Sequence, residues 1–295
     1  MVAKVLDGLA VSAGIFERLH RACCELENNG VCPKLATVLV GNNPASRSYV
    51  LSKHRDCKNI GIQSTLIELP ANTSEKELIS KVEILNASSD VSGIIVQLPL
   101  PESIDQNKVI EAINPDKDAD GLHPLNLGYL VTGKQGIVPC TPAGIVKLLE
   151  AHRITLEGKT IAVIGRGTTV GRPLGILLSG KGVNATVINI HSRSRNISGL
   201  SRIADVVVAC AGVKHIVEPS WIKPGAVVVD VGINQSGVSS SGKMILTGDV
   251  HPLTKNIASY ISPVVGGVGP MTRAMLMSNV INLSERDFRK RLYAS

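Results

Sequence analysis

Two stretches in the first half of the chain are apolar and largely β-branched along their whole length, residues 35–40 (Leu-Ala-Thr-Val-Leu-Val) and 93–96 (Gly-Ile-Ile-Val). That is the pattern of parallel strands covered on both faces. Residues 65–69 form a third candidate strand, and the spacing predicts helices over 46–59 and 74–85. The order is βαβαβ, so the sheet is expected to be parallel with right-handed crossovers. A second alternating series follows, with a helix over 143–152 and short apolar strands at 160–164, 185–190, 206–210 and 226–231. It reads as a second doubly wound unit. Between the two series lies Pro139-Cys140-Thr141-Pro142, where two prolines in four residues suit a turn or linker. The expected division is therefore α/β with two domains, residues 1–140 and 141–271. A last amphipathic helix is predicted over 272–292, apolar at Leu276, Val280, Ile281 and Leu283 and basic toward its end. Periodicity does not say which domain it packs on.

Composition narrows the class. A chain of 295 residues with 44% hydrophobic and 19% charged residues is long enough for two cores and close to a soluble globular average. Lys4 and Asp7 interrupt the N-terminal stretch where a secretory signal needs an unbroken apolar core, and no run of about 18 apolar residues occurs. A soluble, cytoplasmic protein is expected. The formal charge of +7 raises the question of nucleic acid, but the basic residues are dispersed and one tryptophan, four tyrosines and two phenylalanines leave little for base stacking. Small anionic ligands explain the excess better. Six scattered cysteines form no C-x-x-C pair, so reduced thiols and no metal site are expected. Cys140 reads as a packed or loop thiol rather than a nucleophile.

The strand at 160–164 runs into Gly165-Arg166-Gly167-Thr168-Thr169-Val170-Gly171-Arg172-Pro173 and then a helix-like stretch, 174–179. Glycines between a strand and a helix permit a tight turn and close approach of a pyrophosphate to the helix N-terminus. The motif alone is weak, and its placement in a βαβ unit strengthens it. At the end of the next strand NAD enzymes usually carry an acid for the ribose hydroxyls; here stand His191-Ser192-Arg193. A hydroxyl and a guanidinium suit a 2′-phosphate, with Arg166 within reach from the glycine loop, so NADP is favoured over NAD. Arg193 is equally compatible with a solvated surface position.

In the first series Asn43-Pro44 has the form of an N-cap followed by proline at the first helical position. The helix it starts carries Tyr49 and Lys53 four residues apart, on one face. Short-chain dehydrogenases use a similar pair, but there it follows the glycine loop, whereas here it precedes it. From spacing alone, a surface lysine beside a half-buried tyrosine explains the pair as well.

Read together, the motifs are more specific: Val40-Gly41-Asn42-Asn43-Pro44-Ala45-Ser46 with Tyr49 and Lys53, Val96-Gln97-Leu98-Pro99-Leu100-Pro101, Asp118-Ala119-Asp120-Gly121, and Pro139-Cys140-Thr141-Pro142. They continue through the Gly165 loop to Val231-Gly232-Ile233-Asn234, Gly248-Asp249-Val250 and the segment from Pro263 through Gly266 and Gly267 to Thr272. In this order the chain resembles, over nearly its whole length, the bifunctional methylenetetrahydrofolate dehydrogenase/methenyltetrahydrofolate cyclohydrolase family. The resemblance implies an N-terminal folate-binding catalytic domain, 1–140, joined by the C-terminal helix, 272–295, and an NADP-binding Rossmann-type domain, 141–271. It also implies a site in the cleft between domains, tetrahydrofolate derivatives as substrates, and a homodimer.

By the same resemblance Lys53 is the central catalytic residue, Tyr49 packs on the folate, Gln97 tunes the lysine and Asp120 holds the pterin. A carboxylate can accept both the ring N–H and the adjacent exocyclic amine of a reduced pterin. Asp118 is left as a solvent-facing partner or a turn residue. Gly165, Arg166 and Gly167 fall at the cofactor phosphates, Ser192 near the 2′-phosphate, Ile233 near the nicotinamide, and Gly266 and Gly267 in the folate-facing loop. Two positions depart from the family pattern: Gly167 stands where a serine is usual, and Val265 where a proline is usual.

Overall fold

The computed structural model describes residues 2–238 and 244–294. The chain divides into two compact units: one gathers residues 14–129 and 135–140 with the chain from 273 onward, the other the chain up to residue 13, residues 130–134 and residues 141–272. A short strand, β1 (Lys4–Val5), and helix α1 (Gly8–Asn28) open the chain.

In the first unit β2 (Lys34–Val40), α2 (Pro44–Ile60), β3 (Gln63–Leu69), α3 (Glu75–Ala87) and β4 (Gly93–Val96) follow in turn, then α4 (Gln106–Ala112) and α5 (Pro124–Thr132). The sheet order is β3-β2-β4, all parallel. The fully apolar runs become β2, in the centre and buried from its second residue on, and β4, buried throughout. On one face Ala36, Val38, Val40, Ile94 and Val96 pack with Leu78, Val82 and Leu85 of α3 and Val109 of α4. Both helix starts are set locally. The Asn43 side chain accepts from the Ala45 and Ser46 amides ahead of Pro44, and Ser74 and Glu77 form a reciprocal capping box.

The second unit holds α6 (Cys140–Ala151), β5 (Thr160–Ile164), α7 (Gly171–Ser179), β6 (Thr186–Ile190), α8 (Ile197–Arg202), β7 (Val206–Ala209) and β8 (Val227–Asp230). Beyond them come an antiparallel hairpin, β9 (Asn234–Val238) and β10 (Met244–Thr247), then β11 (Tyr260–Ile261) and α9 (Val268–Ala294). The main sheet has the order β1-β11-β8-β7-β5-β6, with every pair parallel. From β5 the chain goes outward to β6 and then returns to β7 on the other side, which makes the carboxyl end of β5 a topological switch point.

Three features differ from the sequence expectation. The proline-rich segment does contain the division between the units, at Cys140 and Thr141, but it is helical rather than a turn: Cys140 opens α6, and Pro142 sits in its first turn, where amides have no intrahelical acceptor and a missing N–H is harmless. Lys4 and Val5, expected in the first domain, pair with Tyr260 and Ile261 in the sheet of the second unit. The terminal helix starts four residues early, at Val268, and its residues from Arg273 on pack with the first unit: the Asn279 amide donates to the Ala119 and Val138 carbonyls, and the Cys57 thiol meets Met277 Sδ at 3.3 Å. All six cysteines are free thiols. Among the described residues no helix is long and apolar enough to cross a membrane, and no group of three or more His, Cys, Asp or Glu could hold a metal.

Candidate active site

In the first unit the carboxyl ends of β2 and β4 carry the chemistry-bearing residues. Val40 leads through the capped turn into α2, and one turn separates Tyr49 from Lys53 on it. Lys53 is only 4% exposed. Its Nζ lies 4.9 Å from the centroid of the Tyr49 ring and donates to Gln97 Oε1 at 3.1 Å. Gln97 is itself held: its backbone amide extends the ladder to the Val38 carbonyl, and its side-chain amide donates to the Leu98 carbonyl at 2.6 Å. That second bond turns Oε1 toward the lysine. A buried ammonium is tolerable only with such partners, here a carbonyl oxygen and an aromatic face.

The segment 118–120 runs beside β4, with a parallel bridge between Ile94 and Asp118. Asp118 is fully buried and accepts from the Gly121 and His123 amides and from Asn126 Nδ2 at 2.8 to 3.0 Å. It is a turn residue, and burial pushes its carboxyl up while those hydrogen bonds oppose the shift. Asp120, two residues on, is half-buried. Burial first, and then the nearby Asp120 carboxylate, raise the Tyr49 phenol. Gly121, at φ 73°, turns the chain away directly after Asp120, and a side chain there would strike the backbone of Val138 at 2.7 Å. Cys140 is buried, with its thiol pushed well up by burial and then by Asp120, which makes it inert as a nucleophile.

In the second unit β5 is followed by Gly165, whose φ of 134° is a conformation open to glycine; a Cβ there would sit 2.3 Å from the Cys210 carbonyl oxygen. At Gly171 a Cβ would sit 2.3 Å from the Gly165 carbonyl oxygen, so the loop folds tightly onto the start of α7. No side chain caps α7. Its N-terminus at the switch point is thus left open to an anion, which is the arrangement a pyrophosphate requires. After β6 the chain turns at His191, whose ring accepts from the Arg193 amide, and Ser192 and Arg193 are exposed. No carboxylate stands at this strand end, so the residues present fit NADP. Arg166 and Gly167 are exposed in the loop, and Ile233, after β8, is 60% exposed. Gly266 and Gly267 lie in this unit too, where the Gly266 carbonyl accepts from the Leu9 amide.

Residues 6–120 match the description "Tetrahydrofolate dehydrogenase/cyclohydrolase, catalytic domain", and residues 139–288 match its NAD(P)-binding domain. The chain belongs to the tetrahydrofolate dehydrogenase/cyclohydrolase family. Solved structures of the family agree over the whole length. The bifunctional methylenetetrahydrofolate dehydrogenase/cyclohydrolase of Campylobacter jejuni is 42% identical, with a TM-score of 0.90 and 97% of this chain and 99% of that chain covered. The Trypanosoma brucei dehydrogenase-cyclohydrolase, solved with NADP cofactor and an inhibitor, is 36% identical, with a TM-score of 0.91 and coverage of 98% and 99%. A silkworm methylenetetrahydrofolate dehydrogenase is 33% identical, at a TM-score of 0.91 and coverage of 97% and 99%.

Against the family pattern, Gly167 has no heavy atom within 4 Å of where a Cβ would stand, so nothing in this fold demands glycine there. Val265 is largely exposed. Sequence reasoning missed residues that support the family's site from behind. Asn279 of α9 donates to the carbonyls of Ala119, the neighbour of Asp120, and of Val138, and also reaches Cys140 Sγ, at 3.4 Å. Arg273 meets Asp56 at 2.9 Å as an ion pair whose angle is not that of a hydrogen bond, with side chains 17% and 11% exposed. Asn279 lies within the apolar stripe of its helix, a placement that signals a buried polar role. Nothing in the sequence pairs Arg273 with a residue 217 positions earlier.

Proposed function

We propose that this chain oxidises 5,10-methylenetetrahydrofolate to 5,10-methenyltetrahydrofolate with NADP and hydrolyses the product to 10-formyltetrahydrofolate. The observation that carries the reading is the buried Lys53, aimed by Gln97 and stacked on Tyr49, in a chain of this family. Tyr49 packs on the folate, and Asp120 accepts the two adjacent N–H groups of the pterin. Gly165, Arg166 and Gly167 hold the cofactor phosphates, Ser192 with Arg166 the 2′-phosphate, Ile233 flanks the nicotinamide, and Gly266 and Gly267 face the folate. Bound NADP supplies a hydride acceptor for the methylene carbon.

Hydride loss leaves a cation delocalised over two folate nitrogens, so the residues of this first step align the partners rather than move protons. The second step moves protons. Water attacks the methenyl carbon, a proton leaves that water, and the ring opens at one nitrogen. Lys53 Nζ is the group placed to hold or take that proton. Gln97 keeps the nitrogen in place through both steps. Family membership favours a homodimer that takes tetrahydrofolate derivatives, and the dispersed basic residues and free thiols favour a cytoplasmic protein that binds neither nucleic acid nor membrane.

The test is a spectroscopic assay with methylenetetrahydrofolate, reading methenyl formation in acid with NADP and with NAD. Turnover with NADP at a much higher kcat/KM is expected. No methenyl with either cofactor refutes the function, and an equal or higher kcat/KM with NAD refutes the assignment of Ser192 and Arg166 to a 2′-phosphate.

A further inference from the structure

Two motifs of the second unit contain buried carboxylates that the reaction itself does not use. Asp230 ends β8 and is 5% exposed; Asp249, after β10, is fully buried. Asp230 Oδ1 accepts from the Gly232 amide at 3.1 Å and the Asp249 amide at 2.9 Å, and Oδ2 accepts from the Val250 amide at 3.1 Å. Asp249 Oδ2 accepts from the Ala211 and Gly212 amides at 2.7 and 2.8 Å, and Oδ1 from Asn234 Nδ2 at 2.9 Å. The close fit excludes side chains: a Cβ on Gly232 would stand 2.0 Å from Asp249 Oδ1, and one on Gly248 1.8 Å from Asp230 Oδ2.

The consequence falls on Ile233. Its predecessor is clamped by Asp230 and its successor by Asp249, while Ile233 itself remains 60% exposed. Two desolvated carboxylates are a costly way to hold a surface loop, since each must be compensated by several donors. Their presence is explained if the apolar side chain they fix has to meet a flat ligand in one position. We propose that Asp230 and Asp249 are positioning residues for the dehydrogenase step, which together fix Ile233 and the Ala211–Gly212 turn as the seat of the nicotinamide ring. This inference rests on the NADP reading above.

Each carboxylate oxygen faces only donors, so an isosteric amide has no acceptable orientation: whichever way Asn is flipped, its NH2 group meets an N–H. The test is Asp249→Asn, with Asn234→Ala as a milder second variant that removes one clamp bond and leaves the carboxylate its two backbone donors. KM for NADP and kcat for methenyl formation are measured beside hydrolysis of supplied methenyltetrahydrofolate, which needs no nicotinamide. KM for NADP is expected to rise about tenfold or more in Asp249→Asn and about threefold in Asn234→Ala, as for loss of hydrogen bonds to a charged acceptor. Hydrolysis should stay near the wild-type rate in Asn234→Ala. An unchanged KM for NADP in Asn234→Ala, or equal loss of both activities in that variant, overturns the proposal. Wild-type protein that fails to use NADP at all overturns the underlying reading instead, and the two failures are thereby distinct.

Discussion

On the proposed roles, replacing Lys53 by Met should separate the two chemistries. The substitution keeps the length and apolar stem of the side chain and removes the proton-carrying group. In the folded chain it deletes the 3.1 Å bond to Gln97 and the stacking of the ammonium on the Tyr49 ring. Leaving Gln97 Oε1 without that donor costs about 1 to 3 kcal/mol, offset by no longer burying an ammonium that is 4% exposed. Stability should therefore change by no more than about 1 to 2 kcal/mol, and circular dichroism should stay native. Positioned proton transfer contributes about 10²- to 10⁴-fold, or about 3 to 5 kcal/mol of barrier, so cyclohydrolase activity should fall by that factor. Methenyl formation should survive in part, because on the proposed reading Asp120 and the nucleotide cradle would still hold the partners. Both rates are to be measured in one preparation, with the spontaneous hydrolysis subtracted. Hydrolysis at the wild-type rate would remove Lys53 from proton transfer.

Asp120→Ala should raise the folate KM for both activities together, by about tenfold or more, because the pterin N–H groups are left without their charged acceptor; a normal KM in steady-state kinetics would mean another group reads the pterin. Burial raises the thiols of Cys23 to about 11 and of Cys57 and Cys210 to about 12, and that of Cys140 well up, whereas Cys24 and Cys32 are exposed. Because raising a thiol pKa lowers its thiolate fraction, brief alkylation of the native protein at about pH 8 should label Cys24 and Cys32 first, as peptide mass spectrometry would show. Arg273→Met leaves the Asp56 carboxylate, already pushed up by burial, without its cation. Destabilisation of about 3 kcal/mol is expected in urea unfolding, largely reversed in the double variant with Asp56→Ala.

Much of this protein was legible along the chain. Continuous apolar runs are sufficient to mark β2, β4, β5, β7 and β8, because a strand covered on both faces has no solvent side on which to place polar residues. Asn43-Pro44 marks the start of α2 because an N-cap and a proline act within one turn. The same local chemistry puts Tyr49 and Lys53 on one helix face and the glycines between β5 and α7. Only the tertiary structure decided what depends on residues distant in sequence. Two-residue strands such as β1 and β11 have too little pattern to be seen, and they exist because β8 offers hydrogen bonds to β11 and β11 in turn to β1. Pro142 looks like a break in sequence and is harmless in a first helical turn. Asp118 and Asp120 are alike in sequence; one is buried under three donors and the other left half-buried, a difference made by Asn126, His123 and the turn at Gly121. Lys53 is a surface residue or a buried one depending on whether Gln97, 44 positions on, supplies an oxygen for it. Hydrophobic period and turn chemistry act over a few residues and are written in the sequence, whereas the partners that compensate a buried charge come from anywhere in the chain and are chosen by the fold.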